Sequence, residues 1–194
     1  NPNLQVSANV NAGSSTFHRN NLSNTNDYLS NTFQSNISLR KKWANSPFSL
    51  SSNIRHNQNT QSKIINLSLP EISLNMNRIF PFKNEISKDR WYEKVGLRYS
   101  LNAKNDISIV DSLLFTKNAL SKFRNGIKHT IPINTSLKVF NYLTLNPSLN
   151  FTERWYFSQI NKNWDGNNII TDTIRTFTRA HEYNLSSSLS TKIY

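Results

Sequence analysis

The stretch Lys94-Val95-Gly96-Leu97-Arg98-Tyr99-Ser100-Leu101-Asn102-Ala103 alternates without a break. Val95, Leu97, Tyr99, Leu101 and Ala103 share one phase, and Lys94, Gly96, Arg98, Ser100 and Asn102 share the other. A two-residue period sends successive side chains to opposite faces of a β-strand. The same beat carries Phe48, Leu50 and Ile54 against Ser49, Ser51, Asn53 and Arg55. The off-phase residues are too polar for a dry interior, so one face is expected to meet lipid and the other a wet lumen. The fold class read from this pattern is all-β, an antiparallel transmembrane β-barrel.

Composition fits that reading. Only 36% of the 194 residues are hydrophobic and the mean hydropathy is −0.59. A soluble domain of this size needs a large apolar core, whereas a barrel needs apolar side chains only on its outer face. No run reaches the roughly 20 apolar residues of a spanning helix, so any crossing must be by strands. Cysteine is absent, which excludes disulfides and thiolate metal sites. The opening Asn1-Pro2-Asn3-Leu4 enters a strand pattern directly and shows no signal-peptide regions; either a leader was removed or the sequence is a piece of a longer chain. The formal charge of +12 points to anionic partners. Its cations are spread singly, with no dense basic helix, and this argues against nucleic acid.

Periodicity predicts ten strands, at about residues 3–13, 32–43, 47–56, 63–69, 72–80, 91–104, 107–116, 126–140, 142–157 and 179–194. The apolar phase flips at Pro70-Glu71, as at a turn or a bulge, and Asp111 breaks the row of Ile107, Ile109, Leu113 and Phe115. Short turns are expected at Asn45, Pro70-Glu71, Asn105 and Asn141, and long connections at 14–31, 57–62, 81–90, 117–125 and 158–178. That alternation of short and long is what hairpins of a membrane barrel produce. Aromatic residues gather at strand ends. Trp43, Trp91, Tyr92, Tyr142, Trp155 and Tyr156 are therefore expected at the membrane interface, with Phe48, Phe80, Phe82, Phe140 and Phe157 beside them.

If the apolar rows face outward, the opposite rows carry the inward charges. These are Arg40, Lys42, Arg55, Lys94, Arg98, Lys128, Lys138, Arg154 and Lys192, against the acids Glu71 and Glu182. The lumen is thus expected to be electropositive and to attract phosphorylated or carboxylated amphiphiles.

Covalent chemistry has little to work with. His18, His56, His129 and His181 lack metal-ligand spacing. The four glycines, Gly13, Gly96, Gly126 and Gly166, form neither a phosphate loop nor a nucleophile elbow. No enzyme activity, cofactor or metal is expected.

Several segments resemble a known family. They are Leu67-Ser68-Leu69-Pro70-Glu71-Ile72-Ser73-Leu74, Asn77-Arg78-Ile79-Phe80-Pro81-Phe82, Trp91-Tyr92-Glu93-Lys94-Val95-Gly96-Leu97 with Tyr99 to Ala103, and Arg124-Asn125-Gly126-Ile127-Lys128-His129-Thr130-Ile131-Pro132. Asn150-Phe151-Thr152-Glu153-Arg154-Trp155-Tyr156 and Leu189-Ser190-Thr191-Lys192-Ile193-Tyr194 are similar too. From about residue 33 onward the chain resembles the barrel of the LptD family of lipopolysaccharide-assembly proteins, in its Bacteroidetes form. The resemblance implies a cell outer membrane location in a Gram-negative bacterium. It also implies lipopolysaccharide transport and insertion into the outer leaflet, with a plug lipoprotein of the LptE type and periplasmic bridge components as partners. Such barrels have more strands than ten, so residues 1–194 would be an internal segment of a larger barrel chain. Two other readings share the periodicity: a porin or nutrient-uptake barrel, and a secreted β-rich adhesin or carbohydrate-binding module.

Overall fold

The computed structural model describes residues 3–11, 13, 32–84, 90–117, 119–140 and 142–191. Among these residues eleven strands form: β1 (Leu4–Asn9), β2 (Thr32–Lys42), β3 (Phe48–Asn59), β4 (Ile64–Ile79), β5 (Gly96–Val110), β6 (Arg124–Asn134), β7 (Leu137–Val139), β8 (Leu143–Tyr156), β9 (Gln159–Trp164), β10 (Ile169–Ile174) and β11 (Thr178–Thr191). One antiparallel sheet runs in the order β1-β2-β3-β4-β5-β6-β8-β11, with β7 extending β6 along β8, and β9 and β10 form a separate hairpin. The sheet is open, with β1 and β11 at its edges. At 14 to 16 residues, β4, β5, β8 and β11 far exceed the usual 5 or 6.

Register carries the apolar phase of each strand onto that of the next. The pairs Val6↔Leu39, Ile37↔Ile54, Leu50↔Leu74, Leu74↔Leu101, Leu97↔Ile133, Ile131↔Phe151 and Leu149↔Leu185 make one apolar face across eight strands. A one-residue slip anywhere would turn a whole row over, so this match specifies the register. The opposite face is a field of Ser, Asn, Thr and cations, stitched by hydroxyl pairs such as Ser7–Ser38 and Ser148–Ser186, each 2.7 Å apart.

Two predicted turns are absent. The segments expected at 63–69 and 72–80 form the single strand β4, Ile64–Ile79, because the phase flip at Pro70 is a bulge. Ser68 pairs with Asp106 and Glu71 with Lys104, so Leu69 and Pro70 together oppose Asn105. The partner β3 skips at the same level. Pro70 has no N–H for the ladder, and the Asn105 side-chain amide reaches across to donate to the Leu69 carbonyl at 2.5 Å. Asn105 consequently lies inside β5, and the predicted turn there does not exist either. Ala103, Asn105, Ile107 and Ile109 keep a single phase through it.

Losing two hairpins changes the loop pattern. By strand order, β2–β3, β4–β5 and β7–β8 are joined at one end of the sheet and β1–β2, β3–β4, β5–β6 and β8–β11 at the other; Asn141, where a short turn is expected, lies outside the described residues. The strict alternation of short and long connections does not hold: 80–95 shares an end with the tight turn at Asn45, and 60–63 is short among long neighbours. The segment expected as the loop 158–178 contains the β9–β10 hairpin. Residues 91–94 form a 3-10 turn ahead of β5 rather than part of it. Asp111 is no anomaly, since β5 ends at Val110 and Asp111 opens a 3-10 turn, its carboxylate accepting the Ser112 N–H at 2.6 Å.

Dry packing is sparse: Phe33 on β2 and Ile65 on β4 are buried, and one cluster forms at a corner. Ile107, Ile109 and Ala119 are buried, with Leu67, Leu114 and Phe123 against them, because the 111–123 connection folds back over the end of β5. Elsewhere the apolar face has no second layer among the described residues, and Val6, Tyr183, Leu185 and Leu189 are exposed.

Candidate functional site

Strand pleating places Arg40, Lys42, Arg55, Arg98, Lys104, Arg124, Lys128 and Arg154 on the polar face, and Lys138 of β7 joins them through its pairing with Thr144. The carboxylates on that face are Glu71, Asp106 and Glu182. Each is engaged: Arg55 Nη2 lies 3.2 Å from Glu71, Arg124 donates to Asp106 at 2.7 Å, and Arg154 donates to Glu182 at 3.0 Å. Exposed pairs of this kind stabilise by only about 0 to 1 kcal/mol. They do little for the fold and leave the face with a large positive excess.

The charges converge toward the end bearing the 111–123 and 157–177 connections. There Asn102, Lys128 and Arg154 are cross-strand neighbours in one file, and Lys104, Gly126 and Tyr156 in the next. The hairpin stands over them, with its paired residues Ile160 and Thr173 facing the same space. The result is a cavity of about 1170 Å³ whose cations are Lys104, Lys122, Arg124, Lys128, Arg154 and Arg175, and whose one acid is Asp106. At the opposite end a cavity of about 700 Å³ is bordered by Arg78 and Arg98. Gly96 lacks a side chain where Arg78 crosses it, since a Cβ there would stand 2.0 Å from Arg78 Nε. The Arg78 guanidinium continues over the Phe80 ring at 4.8 Å.

Of the residues singled out from the sequence, Lys128 and Arg154 line the large cavity, while Arg98 borders the smaller one. Arg40, Lys42, Arg55 and Lys138 stand elsewhere on the polar face. Lys94 sits in the turn before β5, and Lys192 lies outside the described residues. Sequence reading missed Lys104, Arg124, Lys122 and Arg175. Lys104 was legible, because it continues the row of Arg98, Ser100 and Asn102. The predicted strand at 91–104 already contained Lys104 in that phase.

The aromatic residues sort to the sheet ends. Trp43, Trp91, Tyr92 and Tyr142 gather at the end with the Asn45 turn, and Trp155 and Tyr156 at the other. Trp155 is on the apolar face, whereas Tyr156 pairs with Gly126 on the polar face. Arg90 donates to the Tyr92 hydroxyl at 2.7 Å, and this hydrogen bond raises the guanidinium pKa above its ordinary value. On the apolar face His129 is held between Tyr99, whose hydroxyl is 2.8 Å from Nδ1, and the Trp155 ring at 4.4 Å. Glu153 lies opposite His129 and accepts the Trp155 indole N–H at 3.0 Å. His18 lies outside the described residues, and no cluster of His, Asp or Glu suited to a metal occurs among the described ones.

No curated protein and no solved structure matches the chain. The family model described as LptD protein matches residues 1–194, the whole of the sequence. An antiparallel sheet with one continuous apolar face, one basic face and the family's sequence pattern from end to end therefore belongs to the LptD family.

Proposed function

We propose that this chain is part of a transmembrane β-barrel in the outer membrane of a Gram-negative bacterium, where it helps carry lipopolysaccharide to the outer leaflet. The observation that supports this most is the division of the sheet. Eight strands share an apolar face that is covered among the described residues only toward the end bearing the 111–123 connection, and the reverse face is polar and basic. In water such an uncovered face far exceeds the few hundred Å² that soluble proteins tolerate; in lipid it is a fitted surface.

The edges of β1 and β11, unpaired among the described residues, must find partners in a bilayer, where free N–H and C=O groups cost several kcal/mol each. Further strands of a larger barrel chain, of the Bacteroidetes type, satisfy them. The role needs no covalent catalysis. The inner cations attract the phosphates of lipopolysaccharide while its acyl chains pass along the apolar side. A plug lipoprotein of the LptE type and periplasmic bridge components complete the machine.

The test is a photoreactive residue at Arg98 in the complete protein in cells. It should capture lipopolysaccharide while new lipid is being made, and lose the adduct when synthesis is stopped. An adduct that never forms, or one that ignores the supply, contradicts the proposal, as does a large steady ion conductance of the purified protein.

A further inference from the structure

Three consecutive cations open onto alternate faces of β2. Arg40 and Lys42 pair with Ser51 and Ser49 on the polar face, so Lys41 between them lies on the apolar one. There it stands in a cross-strand file that runs Leu4–Lys41–Leu50–Leu74–Leu101–His129–Glu153–His181 from β1 to β11. Leu50, Leu74 and Leu101 separate Lys41 from the group of His129, Glu153 and His181.

Charge on a lipid-facing surface is tolerated at the water boundaries and costly at the middle. Strands of a membrane barrel tilt by about 35 to 45°, so a file at right angles to them climbs through the bilayer. Five steps from strand to strand part Lys41 from Glu153. At about 4.8 Å a step they make a climb of about 14 to 17 Å. The apolar band is about 25 Å tall, and the shortfall of roughly 5 Å at each end is what a long side chain spans by reaching toward water. Lys41 therefore belongs at the boundary beside the Asn45 turn, and Glu153 with its histidines at the opposite one.

The surroundings of Lys41 suit one kind of group. It is half-buried between Leu4 and Leu50, with the exposed rings of Trp43 and Phe48 on its turn side. It forms no ion pair with a described residue, and Glu93, itself buried in the 3-10 turn before β5, is the one acid described in the connections at this end. An unpaired ammonium at the foot of an apolar row calls for an anion that carries apolar tails. Acyl chains lie along the leucines, the phosphate meets the ammonium, and the indole of Trp43 sits at headgroup level. A zwitterionic headgroup would bring a second cation that finds no described acid beside Lys41, whereas an anionic one brings none.

We infer that Lys41, flanked by Trp43, is a binding site for the headgroup of an anionic phospholipid in the leaflet at the Asn45 end of the sheet. The inference rests on the proposed barrel and adds a lipid contact on its outer wall, on the face opposite the basic lumen.

The test places the complete protein in nanodiscs of equal parts phosphatidylglycerol and phosphatidylcholine, releases it into detergent and weighs it with its retained lipid by native mass spectrometry. Phosphatidylglycerol should be retained over phosphatidylcholine. Lys41→Gln should remove one phosphatidylglycerol from the retained count by weakening its site at least about tenfold, the loss of one charge-assisted hydrogen bond. Lys41→Arg should keep the count, and so should Lys162→Gln on the β9–β10 hairpin. Equal retention of the two lipids, or a count that Lys41→Gln leaves unchanged, overturns the inference. A spin label at position 39, the next outward residue toward the middle, separates the two levels. Oxygen contact there without the lipid preference refutes this site alone, and contact with a water-soluble nickel chelate instead refutes the lipid-facing wall as well.

Discussion

Two apolar rows of the same sheet have opposite fates. Ile107 and Ile109 on β5 are 2% and 5% exposed, because the 111–123 connection and Ala119 close over them. Leu185 and Leu189 on β11 lie on the same face and are 77% and 60% exposed. Both rows follow the same alternation, so sequence hydrophobicity does not separate them. What differs is the covering agent. In the β5 corner the chain supplies its own, as a soluble protein does. Along β11 no described residue covers the row, and in the proposed barrel lipid is the covering agent.

The comparison breaks first at the corner. Ile107→Ala should remove a buried side chain from a packed site and cost about 2 to 5 kcal/mol, read by denaturant titration of the protein refolded into lipid vesicles. An effect below about 1 kcal/mol would mean that the corner is no more packed than the open rows.

On the open row the contrast is between neighbours. Leu185→Arg should destabilise the folded protein in vesicles by about 2 to 4 kcal/mol, as arginine does on a lipid-facing position near the midplane. Ser186→Arg, one residue on and on the polar face, should change stability by less than about 0.5 kcal/mol. Equal effects would remove the distinction between the two faces.

The smallest effect is expected at the β9–β10 tip, outside the sheet. The Asp165 carboxylate accepts the N–H groups of Asn168 at 2.7 Å and Asn167 at 2.9 Å, and these bonds hold its pKa below the ordinary value. Because the folded pKa is the lower one, this support is complete above the unfolded pKa and fades as pH falls through the folded value. Amide exchange at Asn167 and Asn168 should quicken on acidification below the usual carboxylate range. In Asp165→Asn it should lose that pH dependence.

Most of the sheet could be read from the chain because a half-exposed strand writes its two faces into a period of two. The rows of β2, β3, β8 and β11 needed nothing else. Errors arose where a turn residue type outweighed phase. Pro70 and Asn105 look like turn residues, yet they face each other across a bulge, where the Asn105 side-chain amide donates to the Leu69 carbonyl. The unbroken phase from Val95 to Ile109 already argued against a turn at Asn105. The β9–β10 hairpin was passed over as a loop, although Gln159 to Trp164 alternates and Asp165-Gly166 is a hairpin turn signal. The cavity was less legible still. Lys122 and Arg175 belong to connections rather than strands, so only the folded arrangement places them beside Lys128.

These 194 residues hold no cysteine, so with any cysteine elsewhere in the complete protein replaced, the central claim, that the apolar face lies against lipid, can be read residue by residue. Single cysteines at positions 144 to 151 of β8, each spin-labelled in the complete protein in bilayers, report collisions with dissolved oxygen and with a water-soluble nickel chelate. The expected result is a two-residue oscillation: oxygen contact highest at Leu145, Leu149 and Phe151, and nickel contact highest at Thr144, Asn146, Ser148 and Asn150. Contact with nickel at both sets, or with neither reagent at Leu145 and Leu149, would contradict a lipid-facing sheet.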